Sequence, residues 1–173
     1  MSTPTRLRPD KPRLKGHVRA VLLGADGSRR VIEAHNLMTQ VGDQWMGERA
    51  AGLGTLGAVT GMRLGTGTTA AAKTGAGAAI VTYVTGSAQA IDSGYPTSAL
   101  NGTARRITYR TTWAAGSATA NGIAEAVLTV EATLTDSAGT AADTIARVLL
   151  SPTVNKGAND TLELTWTIDV EGA

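Results

Sequence analysis

LELTWTIDV, Leu162 to Val170, alternates strictly: Leu162, Leu164, Trp166, Ile168 and Val170 fall on one side, and Glu163, Thr165, Thr167 and Asp169 on the other. A period of two puts the apolar set on one face of a pleated strand and the polar set on the opposite, solvated face. A helix would scatter the same apolar residues around its axis. The alternation recurs upstream. Arg106, Thr108, Arg110 and Thr112 interleave with Ile107, Tyr109, Thr111 and Trp113, and Ala126 to Leu134 interleave with Val127 to Thr133. Near the start Leu14, Gly16, Val18, Ala20 and Leu22 oppose Lys15, His17 and Arg19, and AlaAspGlySer at 25–28 is a hairpin turn into ArgArgValIleGlu. Each run is expected to be a strand with one wet face.

Turn signals separate these runs: AlaAlaGlySer at 114–117, AspSerAlaGly at 136–139 and ProThrValAsnLysGly at 152–157. Short turns between strands imply an antiparallel sandwich or jelly roll, since a parallel sheet needs helices as crossovers. Only NLMTQVGDQWMGERAA at 36–51 loses the alternation; Asp43 is the expected cap of a short helix carrying Trp45, Met46 and Ala50, closed by Gly52. The middle, 52–104, is punctuated by glycine, with apolar runs at Val59–Leu64 and Ala79–Val84, and is expected to be loop-rich with two or three short strands. The expected fold is all-β: one antiparallel β-sandwich or jelly-roll-like domain over 14–173, with one short helix and an extended N-terminal arm at 1–13.

Composition agrees. Of 173 residues, 29 are Ala, 26 Thr and 21 Gly, and Phe is absent. Threonine is β-branched and suits a half-exposed pleated surface, so its abundance favours sheet over helix. With no cysteine, disulfides and thiolate metal ligands are excluded. No apolar run approaches the roughly 18 to 20 residues of a membrane span, and a basic, Pro-rich N-terminus is unlike a signal peptide. The expectation is a soluble protein made in the cytoplasm, with no membrane partner.

LGTGTTAAAKTG, Leu64 to Gly75, approaches two nucleotide-binding patterns. It would satisfy G-x-x-x-x-G-K-[ST] if Ala72 were glycine, and Gly65 onward loosely matches a dinucleotide fingerprint. Both need a helix next, where N–H groups converge on phosphate, but ThrGlyAlaGlyAlaAla follows Lys73. The stretch is expected to be a connection at a sheet edge, with Gly65 and Gly67 allowing a tight turn and Lys73 an ordinary surface charge. No nucleophile elbow or H-E-x-x-H spacing occurs, and His17 and His35, the two histidines, are expected to be an exposed strand residue and a strand-to-helix junction residue. No catalytic residue, metal or cofactor is expected, and the chain is expected not to be an enzyme.

Charge is uneven. Through residue 30 there are eight basic residues (Arg6, Arg8, Lys11, Arg13, Lys15, Arg19, Arg29, Arg30) against Asp10 and Asp26, while the remainder holds eight basic and twelve acidic residues. Residues 1–13, MSTPTRLRPDKPR, contain three prolines, which bar a regular helix or central strand. Their basic residues interleave with proline, with no stacking aromatics among them and no nucleic-acid module after them, so an acidic protein surface is the expected partner and nucleic acid is not. Arg6, Arg8, Lys11, Arg13, Lys15 and Arg19 are the expected docking residues.

NLMTQVGDQW at 36–45, MRLGTGTTAAAKTGAG at 62–77, TYRTTWAAGSATANGIAEA at 108–126 and IARVLLSPTVNKGANDTLELTWTIDV at 145–170 occur in this order in a group of small tailed-bacteriophage virion proteins, which the chain resembles over about 36–170. IleAlaGluAlaVal at 123–127 departs from the group, where a glycine follows GluAla. The resemblance implies a virion structural protein whose LGTGTT segment binds no nucleotide. A capsid decoration (cement) protein, gripping the major capsid protein through its basic arm and self-associating as a trimer, is the expected role. The alternative is a tail or baseplate appendage, fibre-like, with a candidate receptor-binding face using Tyr83, Tyr95 or Trp113. In that alternative tail proteins replace the capsid as partner.

Overall fold

A computed structural model describes residues 13–172; Arg6, Arg8 and Lys11 lie outside them. In order the elements are β1 (Arg13–Leu23), β2 (Arg29–His35), β3 (Leu37–Met38), α1 (Gln40–Ala51), β4 (Gly61–Gly65), β5 (Gln89–Ala90), β6 (Thr97–Asn101), β7 (Ala104–Trp113), β8 (Ala120–Thr129), β9 (Thr144–Lys156) and β10 (Thr161–Glu171). They form two five-stranded antiparallel sheets, β2-β1-β10-β7-β6 and β3-β9-β8-β4-β5. This is the expected all-β sandwich, and α1 is its one α-helix among the described residues.

The first and last strands pair at the centre of the first sheet, from Arg13 opposite Glu171 to Leu23 opposite Thr161. The stretch at 162–170 therefore has strands on both sides, and its apolar set, with Val18, Ala20, Ile32, Tyr109 and Trp113, faces inward. Met62, Leu64, Ile123, Ala126, Leu128, Ala146, Val148 and Val154 meet it from the second sheet. Fully burying one such aliphatic side chain stabilises by roughly 1.5–3 kcal/mol, so the interleaved inner faces supply the main driving force.

Four local expectations are corrected. The helix cap is Thr39, a turn before Asp43: the Thr39 hydroxyl oxygen accepts from the Gly42 N–H at 3.0 Å and the hydroxyl donates to the Thr144 carbonyl at 2.6 Å. Gly52 does close α1, in the left-handed conformation with φ 70. The Ala79–Val84 run forms no strand; Tyr83 makes a single bridge to Gly65. The strand expected to reach Leu134 ends at Thr129, where the Thr129 hydroxyl accepts from the Glu131 N–H and Glu131 turns toward Arg63. Finally 152–157 is not a turn, because β9 continues to Lys156 and the reversal comes at 157–160. Pro152 is accommodated by an irregularity in the ladder: Ile123 faces Val154, yet Glu125 faces Leu149, so β9 carries extra residues there without a register partner on β8.

Nor does β8 have a wet face. Residues 123–130 are all buried, because its outward side chains, with those of β4 and β9, lie beneath the loops 66–82 and 131–140.

Candidate docking face and a buried clasp

The outward face of the first sheet is laid out by strand register. One row runs Arg106–Asp169–Lys15, the next Thr108–Thr167–His17–His35, and the next Arg110–Thr165–Arg19–Glu33. Opposite charges were thereby placed side by side. Arg106 forks onto Asp169 at 2.7 and 2.8 Å, Arg110 reaches Asp92 at 2.8 Å and Glu163 at 3.9 Å, Arg19 reaches Glu33 at 3.6 Å, and Lys15 reaches Glu171 at 3.5 Å. The Arg106 hydrogen bonds hold the Asp169 carboxyl below the usual carboxylate range. Glu171 is lowered by the Thr103 hydroxyl and then by Lys15, with Arg13 contributing.

Of the expected docking residues, then, Arg13, Lys15 and Arg19 belong to β1 and face carboxylates of their own sheet. Arg13 is thus the first residue of a central strand rather than the last of the arm. Arg29 and Arg30, at the hairpin end, make no ion pair among the described residues.

The three aromatics do not form one face. Trp113 is 0% exposed and donates its indole N–H to the Ser87 carbonyl at 2.8 Å, which removes it from any receptor surface. Its position in the inward set of β7, already apparent in the alternation, is the reason. Tyr83 is half-buried beside the second sheet, bonded to Asp136, and burial followed by that carboxylate raises its hydroxyl pKa. Tyr95 lies on the first sheet under the Arg110 guanidinium, 4.7 Å from the ring centroid.

The LGTGTT stretch does approach charged groups, but they are the chain's own. Glu125 and Arg147, outward on β8 and β9 and both 0% exposed, pair at 2.6 Å. Glu125 also accepts N–H bonds from Gly67, Val81 and Thr82 at 2.9–3.0 Å, and Arg147 donates to the Thr69 and Gly77 carbonyls at 2.8 and 3.2 Å. Loop 66–82 is thereby clasped onto the sheet, with each charge satisfied by the chain. The expected tight turn is corrected accordingly: Gly65 and Gly67 are needed for close approach, since a Cβ on either would stand 2.5 Å from Glu125 Oε1. Lys73 is the expected surface charge, paired with Asp43 at 2.5 Å beside a groove of about 290 Å³ between the start of α1 and 73–78. A second such pair, Arg63 with Glu131, holds loop 131–140. Among the described residues no helix is long and apolar enough to cross a membrane.

No protein-family model, curated protein or solved structure matches the chain.

Proposed function

We propose that the chain is a non-enzymatic structural protein of a tailed-bacteriophage virion, a capsid decoration subunit that self-associates, as a trimer, and grips the outer head lattice through its basic N-terminal segment. What supports the reading is how the charges are disposed. The outward sheet face pairs its charges largely within itself and the buried charges hold loops, so the cations offered to an acidic lattice are Arg6, Arg8 and Lys11 before β1, with Arg29 and Arg30, which make no ion pair among the described residues, at the hairpin end. The likeness of four segments to phage virion proteins supports the setting.

Self-association is supported by β6. It is an edge strand, exposed along all five residues, uncharged, and carries Leu100 at 76% exposure. An unguarded edge of this kind pairs readily with another chain.

Attachment to isolated heads tests the role. The full chain should co-sediment with capsids, and the chain lacking residues 1–12 should not, with binding weakening as salt rises. Equal attachment by the truncated protein overturns the arm's role; binding to tails rather than heads makes the protein a tail or baseplate appendage. Light scattering tests self-association: a monodisperse monomer at micromolar concentration overturns the trimer.

A further inference from the structure

The two histidines of the chain are 18 residues apart in sequence, yet the β1–β2 hairpin sets them directly opposite each other, His17 facing His35 across the strands. Both rings project from the outward face, with centroids 5.6 Å apart and planes at 67°. Two imidazoles that share one ion at about 2.0–2.1 Å, at a near-tetrahedral angle, have centroids roughly 5–5.5 Å apart, so the spacing of the two rings is close to that of a chelating pair. Glu33 is one register row away on the same face, with its Oε2 4.0 Å from His17 Nε2 and a side chain 58% exposed.

From this juxtaposition we infer that His17 and His35, with a Glu33 carboxylate oxygen as the third donor, form a surface site for a borderline divalent transition-metal ion such as Zn²⁺ or Cu²⁺. Imidazole nitrogens select that class over Mg²⁺ and Ca²⁺, which demand oxygen cages. Of the two flanking cations Lys15 is matched by Glu171, while Arg19 shares Glu33 with the site. Among the described residues no three His, Cys, Asp or Glu side chains are already gathered as ligands. The site is therefore a two-imidazole chelate that Glu33 completes by changing rotamer, leaving Arg19, with water in the remaining positions. Binding through two imidazoles held together by the hairpin gains the effective-concentration advantage that one imidazole lacks.

The test is a calorimetric titration of the full chain with ZnCl₂, with MgCl₂ as control. No cysteine and no third histidine exist to compete. Expected is one saturable Zn²⁺ site, no Mg²⁺ heat, and loss of at least about tenfold in affinity for both His17→Ala and His35→Ala, as removal of one arm of a chelate requires. Glu33→Gln should weaken binding less than either histidine variant. On the parent protein alone, substoichiometric Cu²⁺ should broaden the NMR resonances of both imidazoles together, a readout independent of whether any variant folds. No saturable binding up to about 1 mM Zn²⁺, unchanged affinity in either histidine variant, or broadening of one imidazole without the other overturns the site.

Discussion

At the scale of single residues, Glu125 explains more of the chain than any motif. Its carboxylate is fully buried, and it is tolerated there because Arg147 and three backbone N–H groups surround it. Removing the charge while leaving Arg147 uncompensated in the interior is costly, so Glu125→Gln should destabilise by about 3–5 kcal/mol in urea unfolding. Gly67 depends on the same carboxylate. A methyl group there would meet Glu125 Oε1 at 2.5 Å and the Val81 Cβ at 2.7 Å, both in a packed region, so Gly67→Ala should cost about 1–3 kcal/mol. Gly47 offers the opposite case: it lies mid-helix with nothing within 4 Å of its would-be Cβ, and Gly47→Ala should stabilise by about 0.5–1 kcal/mol. Thermal or urea midpoints of the two alanine variants should move in opposite directions. The glycines of LGTGTT were legible in the sequence, but their reason was not, because the group that crowds Gly67 is 58 residues away. Phosphate loops and this clasp need bare backbone for the same physical reason, close approach of an anion, which is why the pattern looks alike.

Among the elements, legibility followed exposure. The strands β1, β7 and β10 have one solvated face and could be read from alternation, as could the hairpin turn at 25–28 and the Gly52 helix end. β8 and β9 are buried on both faces over 123–130 and 144–148, so alternation there carried no orientation, and the end of β8 and the course of β9 past Pro152 were misplaced. The helix start was missed because Asp43 and Thr39 are both good caps, and the choice was made by a tertiary partner, the Thr144 carbonyl. Thr39→Ala loses the cap and leaves that buried carbonyl short of its donor, so it should cost about 1–2 kcal/mol by urea unfolding. The β7–β10 pairing carries a pH signature. Asp169 is lowered by Arg106 in the folded state, so its contribution is present above the unfolded carboxylate pKa of about 3.9 and is lost as pH falls through the lower folded value. Because the Arg106 side chain is 39% exposed, the pair is worth under about 1 kcal/mol. Unfolding curves should show Asp169→Asn less stable than the parent near neutrality, with the difference closing as pH falls below about 4.

For the whole molecule, the hairpin register is the clearest case of information present in the sequence and realised only by the fold. A turn at 25–28 joining 14–22 to 29–33 brings residue 17 close to residue 35, and the register that sets Leu23 opposite Arg29 places the two face to face, yet the two histidines looked unrelated while the strands were read one at a time. The charge distribution shows the same thing. The basic first 30 residues suggested one continuous docking patch, but Arg13, Lys15 and Arg19 enter a central strand opposite acidic neighbours, while Arg6, Arg8 and Lys11 lie outside the described residues. That division sets where the chain can be cut. Among the described residues the β1 ladder runs from Arg13, opposite Glu171, and residues 1–12, with three prolines, are expected to be an extended arm. β1 itself joins β2 to β10 and places Val18 and Ala20, at 0% and 1% exposure, in the core. A truncation series read by circular dichroism and thermal melting should therefore show a sharp boundary. Removal of residues 1–12 should leave the midpoint within about 2 °C of the parent, no more than about 1 kcal/mol produces in a domain of this size. Removal of residues 1–19 takes Val18 and more than half of the pairs linking β1 to β10, so that chain should not give a cooperative transition. A gradual loss of stability across the first twelve residues would mean instead that they pack on the sandwich, and would leave fewer of their charges for an outside partner.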